Sequence, residues 1–225
     1  MRRNQRNIFS TAALMLCCAL FATGNAFAAA AGDARFKALT DRFIERYLAM
    51  NPETATSLGE HRFDRRVSDY SRRGIAAQRK LCRDTLDKLA AIPAGSLSPA
   101  NAVDLAILQN ALRSELFGIE VLDLGARDPL GYNPSQGLYA LLARDFAPLK
   151  GRLESVRARL AALPVGLAAA RQNLKNPPRV YTETAIQRNK GAIALVRDDL
   201  DEYLKLEPSM KDRLAPARKR ALAAL

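Results

Sequence analysis

"LKGRLESVRARLAAL" (Leu149–Leu163) places Leu149, Leu153, Val156, Leu160 and Leu163 at alternating steps of four and three. An α-helix turns once every 3.6 residues, so these steps gather all five side chains on one stripe. A half-buried strand would need every second residue apolar, and this stretch does not offer that. The segment therefore reads as an amphipathic helix whose leucine face requires other helices to bury it.

Working outward, the same period recurs. Phe36, Leu39, Phe43, Tyr47 and Met50 form a stripe that stops before Pro52, and Ile75, Cys82, Leu86, Leu89 and Ile92 form another that stops at Pro93. Ser98-Pro99 reads as a helix start, a capping hydroxyl followed by proline at the first helical position. Leu105, Leu108, Leu112, Leu116, Ile119 and Leu122 follow in register. "GARDPLGYNPSQG" (125–137) holds three glycines and two prolines and predicts a long loop, with a short helix over "LYALLAR" (138–144) after it. Pro164 predicts the opening of a separate short helix running to about Lys175. "NPPRVYT" (176–182) reads as an extended connector, because residues before proline avoid the helical region. Thr182 is the expected cap of a helix showing Ile186, Ile193, Val196, Leu200 and Tyr203. Glu207-Pro208 ends that helix, and Ser209 with Asp212 resembles a capping box for the last one. There is no strand pattern and no internal repeat. The expected fold is all-α, a multi-helix array of antiparallel amphipathic helices without significant sheet.

The first 28 residues read differently. Arg2, Arg3 and Arg6 precede a short apolar run, and Ala26-Phe27-Ala28 supplies the small residues a signal peptidase reads. This predicts a signal peptide over 1–28, an exported (periplasmic or secreted) mature chain over 29–225, and no stable membrane insertion after cleavage. Cys17 and Cys18 leave with the signal. Cys82 then stands alone within an apolar series and reads as a small core residue rather than a reactive thiol.

The formal net charge is +12, carried mainly by arginine. The segment 62–83 alone holds eight bases against two acids. Export and the lack of interleaved aromatics argue against nucleic acid as a partner. The segment reads as a solvated or docking face that either meets another part of a larger protein or attracts acidic groups on a peptide.

Chemistry is limited by one fact: His61 is the only histidine. A His-Glu-x-x-His zinc centre needs two imidazoles one helical turn apart, so it cannot be built here, and no cysteine pair replaces it. There is no Gly-x-Ser-x-Gly elbow and no phosphate-cradling glycine loop. No catalytic residue and no metal ligand is assigned. His61 lies in "NPETATSLGEHRFDRR" (51–66) at an expected turn between helices. The candidate substrate-binding residues are His61, Asp64, Tyr132 and Asn133. Asp198, Asp201 and Glu202 read as a solvated acidic face.

Several stretches together resemble one family. "NPETATSLGEHRFDRRVSDYS" (51–71), with Pro52, Ala55-Thr56, Gly59, His61 and Asp64, resembles the opening signature of the bacterial DUF885 family. "RDPLGYNP" (127–134) and "RLAALPVGLAAARQNLKNPPRVYTETAI" (159–186) are similar to its later blocks, at Arg159, Leu160, Pro164, Asn173, Leu174, Pro177, Pro178, Thr182 and Glu183. That family is regarded as related to zinc metallopeptidases, with its His-Glu-x-x-His motif in the C-terminal half. The resemblance implies a helical N-terminal portion of a metallopeptidase-like hydrolase, inactive alone. Zinc is then expected only in a longer parent protein, the C-terminal half is the partner, and a peptide is the substrate. The final "RKRALAAL" (218–225) runs on in helical register, which fits a front portion. The alternative expectation is a periplasmic helical binding or scaffold protein without enzymatic activity.

Overall fold

The computed structural model describes residues 31–225, so the expected signal peptide over 1–28 lies outside the described residues. Among the described residues every regular element is helical. We label them α1 (31–50), α2 (Pro52–Ser57), α3 (Arg72–Ala90), α4 (Pro99–Glu120), α5 (Leu124–Arg127), α6 (Ser135–Ala143), α7 (Leu149–Asn173), α8 (Arg179–Ala194), α9 (Leu200–Leu206) and α10 (Lys211–Ala224). Short 3₁₀ turns at His61–Phe63, Ala94–Ser96, Pro129–Tyr132 and Pro208–Met210 link some of them, and a π turn at Leu195–Asp199 joins α8 to α9.

The chain divides into two compact units. One comprises residues up to 43 with Cys82–Ser114; the other comprises Ile44–Leu81 with Glu115–Leu225. In the first, Phe36, Cys82, Leu89, Ile92, Leu97, Leu105 and Leu112 are buried. Cys82 is fully enclosed, as its place in the apolar series predicts. The Ser98 hydroxyl accepts from the Asn101 N–H at 3.4 Å and so caps α4, while the Ser98 N–H donates to Asp33 at 2.9 Å. Asn101 and Ser98 together hold the Asp33 carboxyl below its usual range.

The second unit carries the larger core. Leu138, Leu141 and Leu142 of α6, Leu153, Val156, Leu160 and Leu163 of α7, Leu200 and Leu204 of α9, and Leu214, Ala217 and Ala221 of α10 enclose Met210. Four of the five residues of the opening leucine stripe are buried in it, and Leu149 packs against its rim. Arg152 closes the C-terminal end of α6. Its guanidinium donates to the carbonyls of Leu142 at 2.6 Å and Leu141 at 3.3 Å, orphan acceptors in the last turn of α6, and to the Ala147 carbonyl in the connector to α7 at 2.8 Å.

Several local expectations are corrected, among them the extended connector over 176–182, of which Arg179 to Thr182 are already helical. Pro164 does not begin a new helix: α7 runs unbroken to Asn173. Its missing N–H deprives the Leu160 carbonyl of a partner, but burial of Leu160, Leu163 and Ala170 on both sides keeps the rod continuous. Leu122 lies past the end of α4 and is 42% exposed, because Asp123 turns into the left-handed region at φ 48°. The 125–137 stretch is not one loop. It folds as α5, a 3₁₀ turn and the start of α6. Thr182 does not cap α8, which already starts at Arg179; its hydroxyl donates back to the Pro178 carbonyl at 3.2 Å. The stripe beyond it holds from Val196 to Leu200, whereas Ile186 is exposed.

Candidate functional site

All the candidate residues sit in the second unit. Pro52 starts α2, and the Arg144 guanidinium caps its end by donating to the Ser57 carbonyl at 2.7 Å. Gly59, at φ +87°, then turns the chain, a conformation that an L side chain resists. That turn delivers the 3₁₀ segment His61–Phe63 and, behind it, the buried Asp64.

A chain of polar contacts leads from there into the protein. His61 Nδ1 lies 3.0 Å from Asp64 Oδ2, and the Thr56 hydroxyl lies 2.6 Å from Asp64 Oδ1. Arg159, on α7, donates Nη2–H to that hydroxyl at 2.6 Å and to the Pro52 carbonyl at 3.1 Å. Its Nη1 donates to the Gly137 carbonyl at 2.7 Å and its Nε to the Arg66 carbonyl at 3.0 Å. One guanidinium thus binds α2, α6, α7 and the segment after the 3₁₀ turn. Burial pushes the Arg159 guanidinium down from its usual range, while the carboxylates of Glu53 and Asp64 pull it back up. The face of the His61 ring stacks on Phe146, centroids 3.6 Å apart and planes within 7°.

Beside Arg159 is a cavity of about 40 Å³, walled by Glu53, Tyr70, Tyr132, Asn133, Leu138 and Leu163 among others. That volume holds roughly two or three waters. Glu53 accepts from the Ser68 N–H at 3.1 Å and the Ser68 hydroxyl at 2.6 Å. Tyr70 and Tyr132 meet edge to face at 4.9 Å, and Asn173 ties them by donating to the Tyr70 carbonyl at 2.7 Å and the Tyr132 oxygen at 3.4 Å. Burial raises both phenols above 10.0, with the Glu53 charge a further cause at Tyr70.

The four candidates therefore separate into two pairs. Tyr132 and Asn133 line the cavity, whereas His61 and Asp64 stand outside it and reach it through Thr56 and Arg159. Tyr132 is largely engaged already, its hydroxyl donating to the Gly125 carbonyl, and Asn133 Oδ1 accepts the Ser135 N–H at 3.0 Å to lead into α6. Arg159, Glu53 and Tyr70 carry the site as much as the candidates do. The signal for Arg159 was present in the sequence: it interrupts the leucine stripe between Val156 and Leu160, where a charge must be enclosed with partners.

Among the described residues no group of three or more His, Cys, Asp or Glu side chains is placed to hold a metal ion, so a zinc ion does not fit the donors described. The acidic face is laced with ion pairs, Asp198 to Arg197 at 2.8 Å and Asp201 to Arg218 at 2.7 Å. Part of the basic segment is likewise paired: Arg62 meets Glu45 at 2.7 Å and Glu60 at 2.8 Å, and holds the Glu60 carboxyl at about 2. No described helix is long and apolar enough to cross a membrane.

A family model described as bacterial protein of unknown function (DUF885) matches residues 52–225. Among solved structures, a candidate lipoprotein of unknown function from Shewanella oneidensis is similar, with a TM-score of 0.71 and 27% identity. The match covers 84% of this chain and 36% of that one. No curated protein matches.

Proposed function

Because the chain belongs to the DUF885 family of bacterial proteins of unknown function, we propose that it is the exported N-terminal helical part of a longer, zinc-dependent metallopeptidase-like hydrolase. In this reading residues 1–28 are removed on export, residues 29–225 form one wall of a peptide-binding cleft, and the zinc ligands come from polypeptide further along. The observation that carries it is the commitment of the sole imidazole: His61 is held by Asp64 through Nδ1 and by Phe146 through its face, and the sequence has no second imidazole to pair with it in a zinc centre. The likeness spanning 36% of the Shewanella oneidensis protein supports a longer parent, and that protein's description as a candidate lipoprotein supports export.

The test compares this chain with the protein read from the full gene. Both are assayed on a pool of short peptides, with and without a zinc chelator. The longer protein should cleave peptides in a chelator-sensitive manner, and this chain should not. Chelator-sensitive cleavage by the chain alone overturns the proposal. If the longer protein neither cleaves peptides nor binds zinc, the binding or scaffold reading takes its place.

A further inference from the structure

The arrangement around His61 is more elaborate than a turn requires. Asp64 is an acceptor as a carboxylate, so the 3.0 Å contact at Nδ1 puts the ring proton of neutral His61 on that nitrogen. Nε2 is then left with its lone pair. Asp64 is itself fixed by the Thr56 hydroxyl, and Thr56 by the buried Arg159. The parallel stack on Phe146 sets the plane of the ring. The buried Asp64, backed by Thr56 and Arg159, determines tautomer and direction, and the half-buried Phe146 sets the plane, yet 33% of the His61 side chain stays open to solvent. Anchoring a turn needs Nδ1 alone. A carboxylate that orients one ring nitrogen so that the other faces outward is the usual second shell of an imidazole that works through its free nitrogen.

The charges nearby indicate what that nitrogen meets. The carboxylates flanking His61 are Asp64, which it holds directly, and Glu60, which Arg62 keeps ionised. Both carboxylates are already paired, so what remains is the lone pair of the bare nitrogen, which repels another acceptor and suits a donor. We infer that Nε2 of His61 is a pre-set acceptor for an N–H group of a bound polypeptide, either a backbone amide or a terminal ammonium. This rests on the reading of the chain as part of a peptide-binding hydrolase.

Because His61 is the only histidine, a chain labelled with ¹⁵N in histidine gives the spectrum of a single ring. The expected long-range ¹H–¹⁵N pattern shows the proton on Nδ1 and a bare Nε2, whose resonance moves on titration with a tri-alanine amide. The free-amine and N-acetylated forms distinguish the sources: movement with both assigns a backbone amide, and movement with the free amine alone assigns the ammonium. A proton on Nε2, or an Nε2 resonance that neither peptide moves, overturns the inference. In the longer protein, His61→Asn keeps a group facing Asp64 but removes the outward acceptor. It should raise the peptide KM about tenfold, the weight of one hydrogen bond, with kcat and Tm nearly unchanged. An unchanged KM overturns the inference as well. Should the longer protein hydrolyse nothing, the hydrolase reading fails, while the ring spectrum and peptide titration still decide the role of His61.

Discussion

Arg159 is the residue whose loss the structure tolerates least. It is 3% exposed, and its three nitrogens reach four acceptors on three segments, two on α2, one on α6 and one after the 3₁₀ turn. Replacing it by methionine keeps much of the bulk but leaves the Thr56–Asp64 pair and three backbone carbonyls without their donor. Breaking a buried ionic network on one side costs about 3–5 kcal/mol. Arg159→Met should therefore lower the free energy of unfolding obtained from urea titration by that amount, and Arg159→Lys should recover little, because a compact ammonium cannot span a planar fork of acceptors. An Arg159→Met variant within about 1 kcal/mol of the parent would show that the network contributes specificity rather than stability. In the sequence this residue was visible as a charge within a leucine stripe and as a position of the DUF885-like block; its partners come from residues as many as 107 positions away, and no local pattern names them.

At the scale of elements, the close approach of α2, α6 and α7 depends on Gly137. A Cβ added there would lie 2.8 Å from Glu53 Cγ and 3.2 Å from Arg159 Nη1. One of these contacts must give, and both side chains are pinned by hydrogen bonds. Gly137→Ala should destabilise the protein by about 1–3 kcal/mol, the cost of overpacking a filled site. Thermal unfolding of the variant checks this, with Gly151→Ala, where an added Cβ meets nothing within 4 Å, as the control on the same scale. The glycine was legible as a loop signal, but its real role is to admit two neighbours that only the fold brings near. The helix bounds show the same division. Capping at Ser98 and the stop before Pro52 followed from local chemistry. The unbroken α7 through Pro164 did not, because tertiary burial outweighs one lost backbone hydrogen bond.

For the whole molecule, the paired tyrosines make stability depend on alkaline pH. Both phenols are raised above 10.0 in the folded protein, Tyr70 chiefly by burial. A raised phenol favours the folded state's neutral form, so the stability it contributes is complete below the unfolded value of about 10. It is lost as pH rises beyond that value, since the unfolded chain can then ionise freely. The melting temperature should hold steady through neutral pH and fall above about pH 10. Tyr70→Phe should stay close to the parent at pH 7, because the hydroxyl's contact with the Gly131 carbonyl is long, at 3.5 Å, and its other partner, the Ser68 side chain, is held by Glu53, and it should keep its melting temperature to higher pH. If Tyr70→Phe shows the same alkaline decline as the parent, Tyr70 is not the group responsible.

What the sequence determined by itself was periodic and local: an all-helical chain, the leucine stripe of α7, the apolar place of Cys82, and the presence of a single imidazole. These follow from side-chain spacing and composition, which need no knowledge of the fold. The tertiary structure alone decided which polar residues meet. It joined His61 and Asp64 to Thr56 and Arg159, set Tyr132 and Asn133 around a separate small cavity, and carried α7 straight through its proline. The physical reason is that a buried charge is compensated by acceptors drawn from several helices, and their convergence is a property of packing rather than of any one stretch of chain.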